Sequence, residues 1–319
     1  MKRPSDIDPD WLALTFEVKR EQAGRRADIF ISNRIPRLSR TRVKQIIERS
    51  AYAADGRKVK PNRAVREGEV ITIFRPPPEE PDVPRHFGVL YEDEWILAVD
   101  KPAGLPVHPT ARFHANTLTA LLRERYGEDP PRLAHRIDSE TSGIVLCAKT
   151  KAAESAIKLL FAGRRVSKVY LAAVFGVPDP PEGRIETPLG PDLEGPIKVK
   201  MACRPDGLPA LTAYRVLKKG IDASLVECRP RTGRQHQIRA HLAHIGHPII
   251  GDKMYGPDPS LFLDYIDSGP TAEILERAGA PRHFLHAASI TFDHPESGAP
   301  FTVNAPLPQD MQTFLAVSA

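Results

Sequence analysis

Five prolines crowd the twelve residues Phe74 to Arg85, FRPPPEEPDVPR. Proline fixes φ and removes a backbone donor, so this stretch cannot lie inside a helix or a central strand. It reads as a semi-rigid linker over residues 75–85. It divides the 319-residue chain into a small N-terminal domain at 16–74 and a larger one at 86–319. Charge follows the same division. Residues 16–75 hold 16 Lys and Arg against 7 Asp and Glu, whereas residues 76–319 hold 27 against 30. The excess behind the net charge of +5 therefore sits in one short block ahead of the prolines. Such concentration is the footprint of a phosphate-binding module, and a solvated basic surface is the plainer reading beside it.

Other classes are excluded more simply. No stretch approaches the roughly 20 consecutive apolar residues that a membrane-spanning helix needs. The N-terminus, MKRPSDIDPDWLAL, carries acidic residues where a secretory signal would place its apolar run, so a cytoplasmic protein is expected. Cys147, Cys203 and Cys228 are far apart and form no C-x-x-C pair. That argues against a disulfide framework and a cysteine zinc site, and leaves them as small buried hydrophobes.

Within the basic block, residues 26–34 show helical spacing. Ser39 then stands as an N-cap ahead of a second helix, RTRVKQIIERS, where Val43, Ile46, Ile47 and Ser50 share one face. Turns at Asp55-Gly56 and Gly68 follow, and Glu69 to Phe74 alternates as a half-buried strand would. Beyond the prolines, GVLYEDEWILAVDKPAG reads as two strands around an acidic turn at Glu92 to Glu94. GIVLCAKT and KVYLAAVFG are further apolar strands. Between them KAAESAIKLLFAGR has helical spacing of Ala156, Leu159 and Leu160. Residues 258–282 read as a surface excursion with a short helix at Ala272 to Ala278. Strands and helices mix without regular alternation, which predicts an α+β domain built on a mainly antiparallel sheet.

Three segments can carry chemistry. In LAHRIDSETSGIVLCAKT, Asp138 follows His135 and Arg136 and precedes a polar turn that leads into a buried strand. This places a carboxylate at a loop-to-strand junction, where it could be catalytic or could simply bond nearby backbone N–H groups. In RPRTGRQHQIRAHLAHIGHPIIGDKMYG, Arg231, Arg234 and Arg239 crowd a loop running into a helix that ends at Gly246. One of them could hold Asp138 in a bidentate pair, or all could be phosphate contacts. His236, His241, His244 and His247 are dense enough to suggest a metal, yet no H-E-x-x-H pattern or cysteine partner accompanies them, and no metal is expected. In SKVYLAAVFG, Tyr170 could stack on a base or be an ordinary core residue.

Two resemblances sharpen these readings. RRADIFISNRIPRLSRTRVKQIIERS with the later REGEVITIF resembles the RNA-binding module of the ribosomal-protein-S-four type. This chain reads AYAADGRKVK where that family usually has a valine-rich strand before an Asn-Gly turn. The three chemical segments, with DKPAGLPVHP and FLHAASITFDHP, resemble the RluA-type pseudouridine synthases over nearly all of residues 86–319. Ile137 stands where that family commonly has Leu.

The second resemblance implies an RNA uridine isomerase that needs no cofactor. It implies Asp138 as the catalytic aspartate, Arg234 as its ion-pair partner and Tyr170 packed against the target base. Arg136 is the implied wedge beneath an extruded nucleotide. His135, Arg37, Arg40, Arg42 and Lys44 are the further RNA-binding expectations. The expected partner is structured RNA, large-subunit ribosomal RNA before transfer RNA, and the chain is expected to act as a monomer. A non-catalytic RNA-binding assembly factor and a metal-dependent hydrolase are the competing classes.

Overall fold

The computed structural model describes residues 3–35, 38–76, 80–110, 113–258 and 260–317. Arg37 and part of the proline segment, residues 77–79, lie outside them. The chain forms two compact units, Met1–Glu79 and Glu80–Ala319.

The first unit runs β1 (Leu12–Glu17), α1 (Ala27–Arg34), α2 (Arg40–Ser50), β2 (Ala51–Ala53) and β3 (Val70–Arg75). Its sheet is antiparallel in the order β1-β3-β2. Ser39 caps α2, its hydroxyl accepting from the Arg42 N–H at 3.3 Å. The spacing on α2 does what it predicts, since Val43 and Ile47 are fully buried against Phe30, Ile31, Ile71 and Ile73. After β2 the chain turns back at Asp55-Gly56, where Gly56 takes φ +83° and the Ala53 N–H donates to the Arg57 carbonyl. A short hairpin thus forms there without the valine-rich strand. Asp28 is buried at the start of α1, held by Arg26 at 2.9 Å and Arg40 at 3.4 Å.

From Glu80 the chain is already tied into the second unit. The Glu80 carboxylate accepts from the N–H groups of Ala115 and Asn116, so residues 80–85 are not free linker. The unit begins with β4 (Gly88–Glu92), β5 (Ile96–Lys101), α3 (Leu118–Tyr126), β6 (Arg132–Leu133), β7 (Ser142–Ala148) and α4 (Lys151–Ala162). It continues through β8 (Ser167–Phe175), β9 (Glu182–Ile185), β10 (Leu189–Pro191), β11 (Met201–Cys203), β12 (Thr212–Lys219), β13 (Ala223–Pro230) and α5 (Gln237–His244). The last elements are α6 (Leu261–Ser268), α7 (Ala272–Ala278), β14 (Leu285–Asp293), β15 (Pro300–Asn304) and α8 (Gln309–Val317).

Ten strands make one mixed sheet in the order β4-β5-β7-β14-β8-β13-β12-β9, with β6 on β7 and β15 on β14. Among the described residues all its pairings are antiparallel except β7 with β14. That seam is two residues long, Ser142 opposite His286 and Gly143 opposite Ala287. Gly143 has φ +101°, and a Cβ there would stand 2.3 Å from the Ala287 carbonyl oxygen, so only glycine lets the two strands close. Apolar clusters cover both faces, one beneath α5 and α8 and one beneath α4. On α4 the buried residues are Ala153, Ile157 and Leu160, while Leu159 is 67 % exposed. The helix is therefore rotated from the Ala156, Leu159, Leu160 face that its spacing suggests. Cys147 and Cys228 are buried, Cys203 is half-buried, and all three thiols are free.

Candidate active site

Four neighbouring strands, in the order β7-β14-β8-β13, bring the three motifs together. Asp138 sits in the loop before β7, Tyr170 on β8, and α5 follows β13. They line a cavity of about 290 Å³ with Arg136, Phe161, Lys168 and Ile238. A second hollow of about 410 Å³ opens on the other side of Asp138, toward His108, Phe113 and Lys253.

The Asp138 loop is held by buried polar groups. The Lys101 ammonium, fully buried, donates to the carbonyls of Pro102, Leu105 and Ser139, each at 2.8 Å. Burial pulls its pKa down to about 7. The Gly104 N–H also donates to Ser139, and the Thr141 N–H donates to the Asp138 carbonyl. Thr141 and Ser142 bond the rings of His283 and His286 at 2.8 and 3.0 Å, which fastens the loop to the start of β14. Burial keeps both histidines neutral, with pKa near 4.

The cation that meets Asp138 is Arg239, not Arg234. Arg239 Nη1 donates to Asp138 Oδ2 at 2.8 Å. Its Nε and Nη2 form a bidentate pair with Asp252 at 2.6 and 2.9 Å, so the fork closes on Asp252 and only the remaining nitrogen reaches Asp138. Asp252 is 1 % exposed and also accepts the N–H groups of Met254 and Tyr255. Arg234, five residues earlier in the loop, donates through Nε to the Pro209 carbonyl at 3.3 Å and lines the cavity without touching Asp138.

Burial would raise the Asp138 carboxyl, but the Arg239 charge and hydrogen bond, with His236 and His283 nearby, together outweigh it and hold the pKa below the ordinary carboxylate range. Asp138 is therefore an anion at neutral pH. Tyr170 moves the other way, since burial and the nearby Asp138 charge raise its pKa and keep it a phenol. Among the described residues its hydroxyl has no hydrogen-bond partner, so an apolar ring with a free polar tip faces the cavity.

His236 lies 3.9 Å from Asp138, beyond hydrogen-bond reach, and burial lowers its pKa to about 4. The Tyr255 hydroxyl accepts from the Met201 N–H at 2.8 Å and lies 3.1 Å from His236 Nδ1. If the phenol gives its one proton to Nδ1, the imidazole N–H is on Nε2, facing Asp138. His236 holds this place at φ 54°, in the left-handed region.

The other expected residues divide. Arg136 is exposed and lines both hollows beside Asp138. His135 turns inward; its Nε2 accepts from the Leu146 N–H at 3.0 Å and its ring lies against Phe161, so it is a wall of the cavity. Arg40, Arg42 and Lys44 are exposed on α2. His241 bonds Thr212 and the Thr187 carbonyl, and His247 bonds the Phe175 carbonyl. Among the described residues no three His, Cys, Asp or Glu groups are placed to hold a metal. Asp252, Tyr255, Lys101 and His283 were not singled out by sequence. The one available signal was Arg239 itself, an arginine flanked by Ile238 and Leu242 on a buried helix, which requires a buried acid.

A loop carboxylate held as an anion beside a buried arginine thus lies at the floor of a cavity with an aromatic wall. Residues 95–244 match the model of the RNA pseudouridylate synthase family. A ribosomal large subunit pseudouridine synthase D of Xanthomonas campestris is 36 % identical over 306 residues, which cover 92 % of this chain and 89 % of that one. An RNA pseudouridine synthase of Chloroflexus aurantiacus is 38 % identical over 92 % of this chain and 90 % of its own. Among solved structures, the human RNA pseudouridylate synthase domain containing 4 superposes with a TM-score of 0.57 at 27 % identity, over 72 % of this chain and 92 % of that one. The chain belongs to the RNA pseudouridylate synthase family, whose members isomerise uridines in RNA.

Proposed function

We propose that this enzyme isomerises a uridine of large-subunit ribosomal RNA, with Asp138 as its catalytic carboxylate and residues 16–74 as an RNA-binding module. The observation that carries this reading is the Asp138–Arg239 pair at 2.8 Å on the floor of a cavity walled by Tyr170. The substrate preference is supported by relatives named for the large ribosomal subunit. The module is supported by the concentration of basic residues ahead of the prolines and by the exposed Arg42 and Lys44 on α2.

The reaction breaks the bond between ribose C1′ and base N1, turns the uracil, and rejoins it through C5. The C5 proton is released and N1 gains one, so atoms and electrons balance without a redox partner. A stacked uridine cannot reach Asp138; it must be everted, at a cost of roughly a few kcal/mol. Arg136, exposed beside the cavity, is suited to fill the vacated stack. Tyr170 packs the ring, and the walls exclude water while the base is free to turn. Asp138 then acts on the nucleotide either as a nucleophile or as a base toward a ribose proton, and Arg239 keeps it ionised for both.

Asp138→Asn is expected to abolish pseudouridine formation while leaving RNA binding intact; turnover at the wild-type rate would refute the role. Pseudouridine mapping of total RNA from cells with and without the protein is expected to differ at large-subunit ribosomal positions. A difference confined to transfer RNA would overturn the substrate. Arg42→Gln with Lys44→Gln is expected to weaken binding and lower the salt slope by about two, one for each phosphate no longer neutralised. Arg40 is left in place because it also holds Asp28.

A further inference from the structure

Beside the cavity floored by Asp138 lies another hollow of about 290 Å³ that shares Lys168, Gly233 and Arg234 with it and adds Arg164 and Arg231. Its rim comes from two places. Arg164 stands at φ 55° in the turn that reverses the chain from α4 into β8, and Lys168 follows on β8. Arg231 and Arg234 come from the loop between β13 and α5, pinned where the Arg231 N–H donates to the Leu211 carbonyl. Four cationic side chains face this hollow, and no carboxylate is among its lining residues.

Their neighbours differ. Arg165, next to Arg164, reaches Asp293 at 3.9 Å, and Arg229, two residues before Arg231, is bound to Glu227 at 2.9 Å. Among the described residues the side chains of Arg164, Lys168 and Arg231 meet no acid, and Arg234 gives only its Nε, to a carbonyl. Lys168 is also partly desolvated, which lowers its pKa and makes an unmatched ammonium there costly. Positive charges brought together without anions repel one another. An anion arriving from outside would relieve that repulsion.

We propose that this hollow binds a backbone phosphate of the RNA substrate, the one joined on its 5′ or 3′ side to the nucleotide everted into the adjoining cavity. The inference rests on the reading of that cavity as a uridine site. A base that leaves its stack takes its two flanking phosphates with it, and the shared wall of Lys168, Gly233 and Arg234 puts the unpaired cations one step from the ring. Guanidinium groups suit this task because their planar forks bond two phosphate oxygens at once.

The test pairs a chemical change in the RNA with a change in the full-length protein. An RNA fragment spanning the mapped uridine is made with one uncharged methylphosphonate linkage, placed in turn at each position around the target. For the wild-type chain, one of the two flanking linkages is expected to raise Kd about tenfold, the effect of removing one charge-assisted hydrogen bond. With Arg231→Gln or Arg164→Gln, both exposed positions, the unmodified RNA is expected to bind about tenfold more weakly, and the methylphosphonate to add little further loss. Arg231→Lys, which keeps the charge, is expected to restore part of the sensitivity. Equal penalties from the methylphosphonate in wild type and variants, or no sensitivity at either flanking linkage, would overturn the inference. Pseudouridine formation on the unmodified RNA reports separately on the uridine reading; if it proceeds while the coupling is absent, only the phosphate site fails. Its absence would remove both.

Discussion

Arg239 serves two carboxylates at once, and that makes stability and activity separable. Arg239→Gln would leave Asp252 buried without its cation, and Asp252→Asn would leave the guanidinium with half its partners. Breaking a buried pair from either side costs about 3–5 kcal/mol, most of it from the stranded charge. The double variant strands neither of these two charges, leaving only Asp138 without its cation, and keeps polar groups of similar size. Its loss in urea unfolding is expected to fall short of the summed single losses by about 3 kcal/mol. Activity is expected to behave otherwise. Asp138 loses a charge-assisted bond worth about 1.5–3 kcal/mol in both Arg239 variants, so kcat/KM for pseudouridine formation falls by about 10- to 100-fold in each. With its cation gone, the carboxyl loses the main influence opposing the burial that raises its pKa, and the acid limb of the pH profile moves upward. Tritium release from RNA labelled at uridine C5, followed from pH 4 to pH 9, gives both quantities. Recovery of wild-type kcat/KM alongside stability in the double variant would show that Asp138 does not depend on Arg239.

Three more outcomes follow from the same geometry. Gly143→Ala is expected to destabilise the chain by roughly 3 kcal/mol or more in chemical unfolding, because its Cβ meets the Ala287 backbone and its φ suits only glycine. Lys101→Met is expected to cost about 3 kcal/mol by orphaning three carbonyls, and to lower kcat more than it raises KM, since Ser139 adjoins Asp138. His135, His236, His283 and His286 have pKa values lowered by burial from 6.5 to about 4. Unfolding therefore takes up protons between those values, and stability is expected to fall as pH drops through that window, by up to about 1.4 kcal/mol per pH unit for each histidine. A flat melting temperature from pH 6.5 to pH 4 would contradict this.

What the sequence disclosed was mostly what is decided locally. Ser39 caps its helix whatever lies elsewhere, Gly56 and Gly68 turn at positive φ, and the acidic turn between β4 and β5 joins two apolar runs. The helix at Ala272–Ala278 likewise begins with a threonine cap, Thr271, which accepts from the Ile274 N–H. The choice between Arg234 and Arg239 was not local. Both lie in one basic stretch, and which one meets Asp138 depends on the left-handed turn at His236 and on Asp252, thirteen residues beyond Arg239. The rotation of α4 was hidden for a similar reason. Leu159 and Leu160 are adjacent, so only one can face the sheet, and the packing of Ile157 decides in favour of Leu160.

The carboxylate at the bottom of the cavity has an effect that precedes any bond-breaking. Arg239 carries one positive charge between two acids, so the trio of Asp138, Arg239 and Asp252 is left with an excess electron's worth of field. Nucleic acid arrives as a polyanion, and a phosphate nearing that floor meets a like charge where little solvent intervenes. A pyrimidine, being neutral, meets no such barrier. With Lys168 and Arg234 on the wall and this anionic floor beneath, the two halves of a nucleotide would be drawn apart on approach, the phosphate toward the cationic wall and the neutral heterocycle over Asp138.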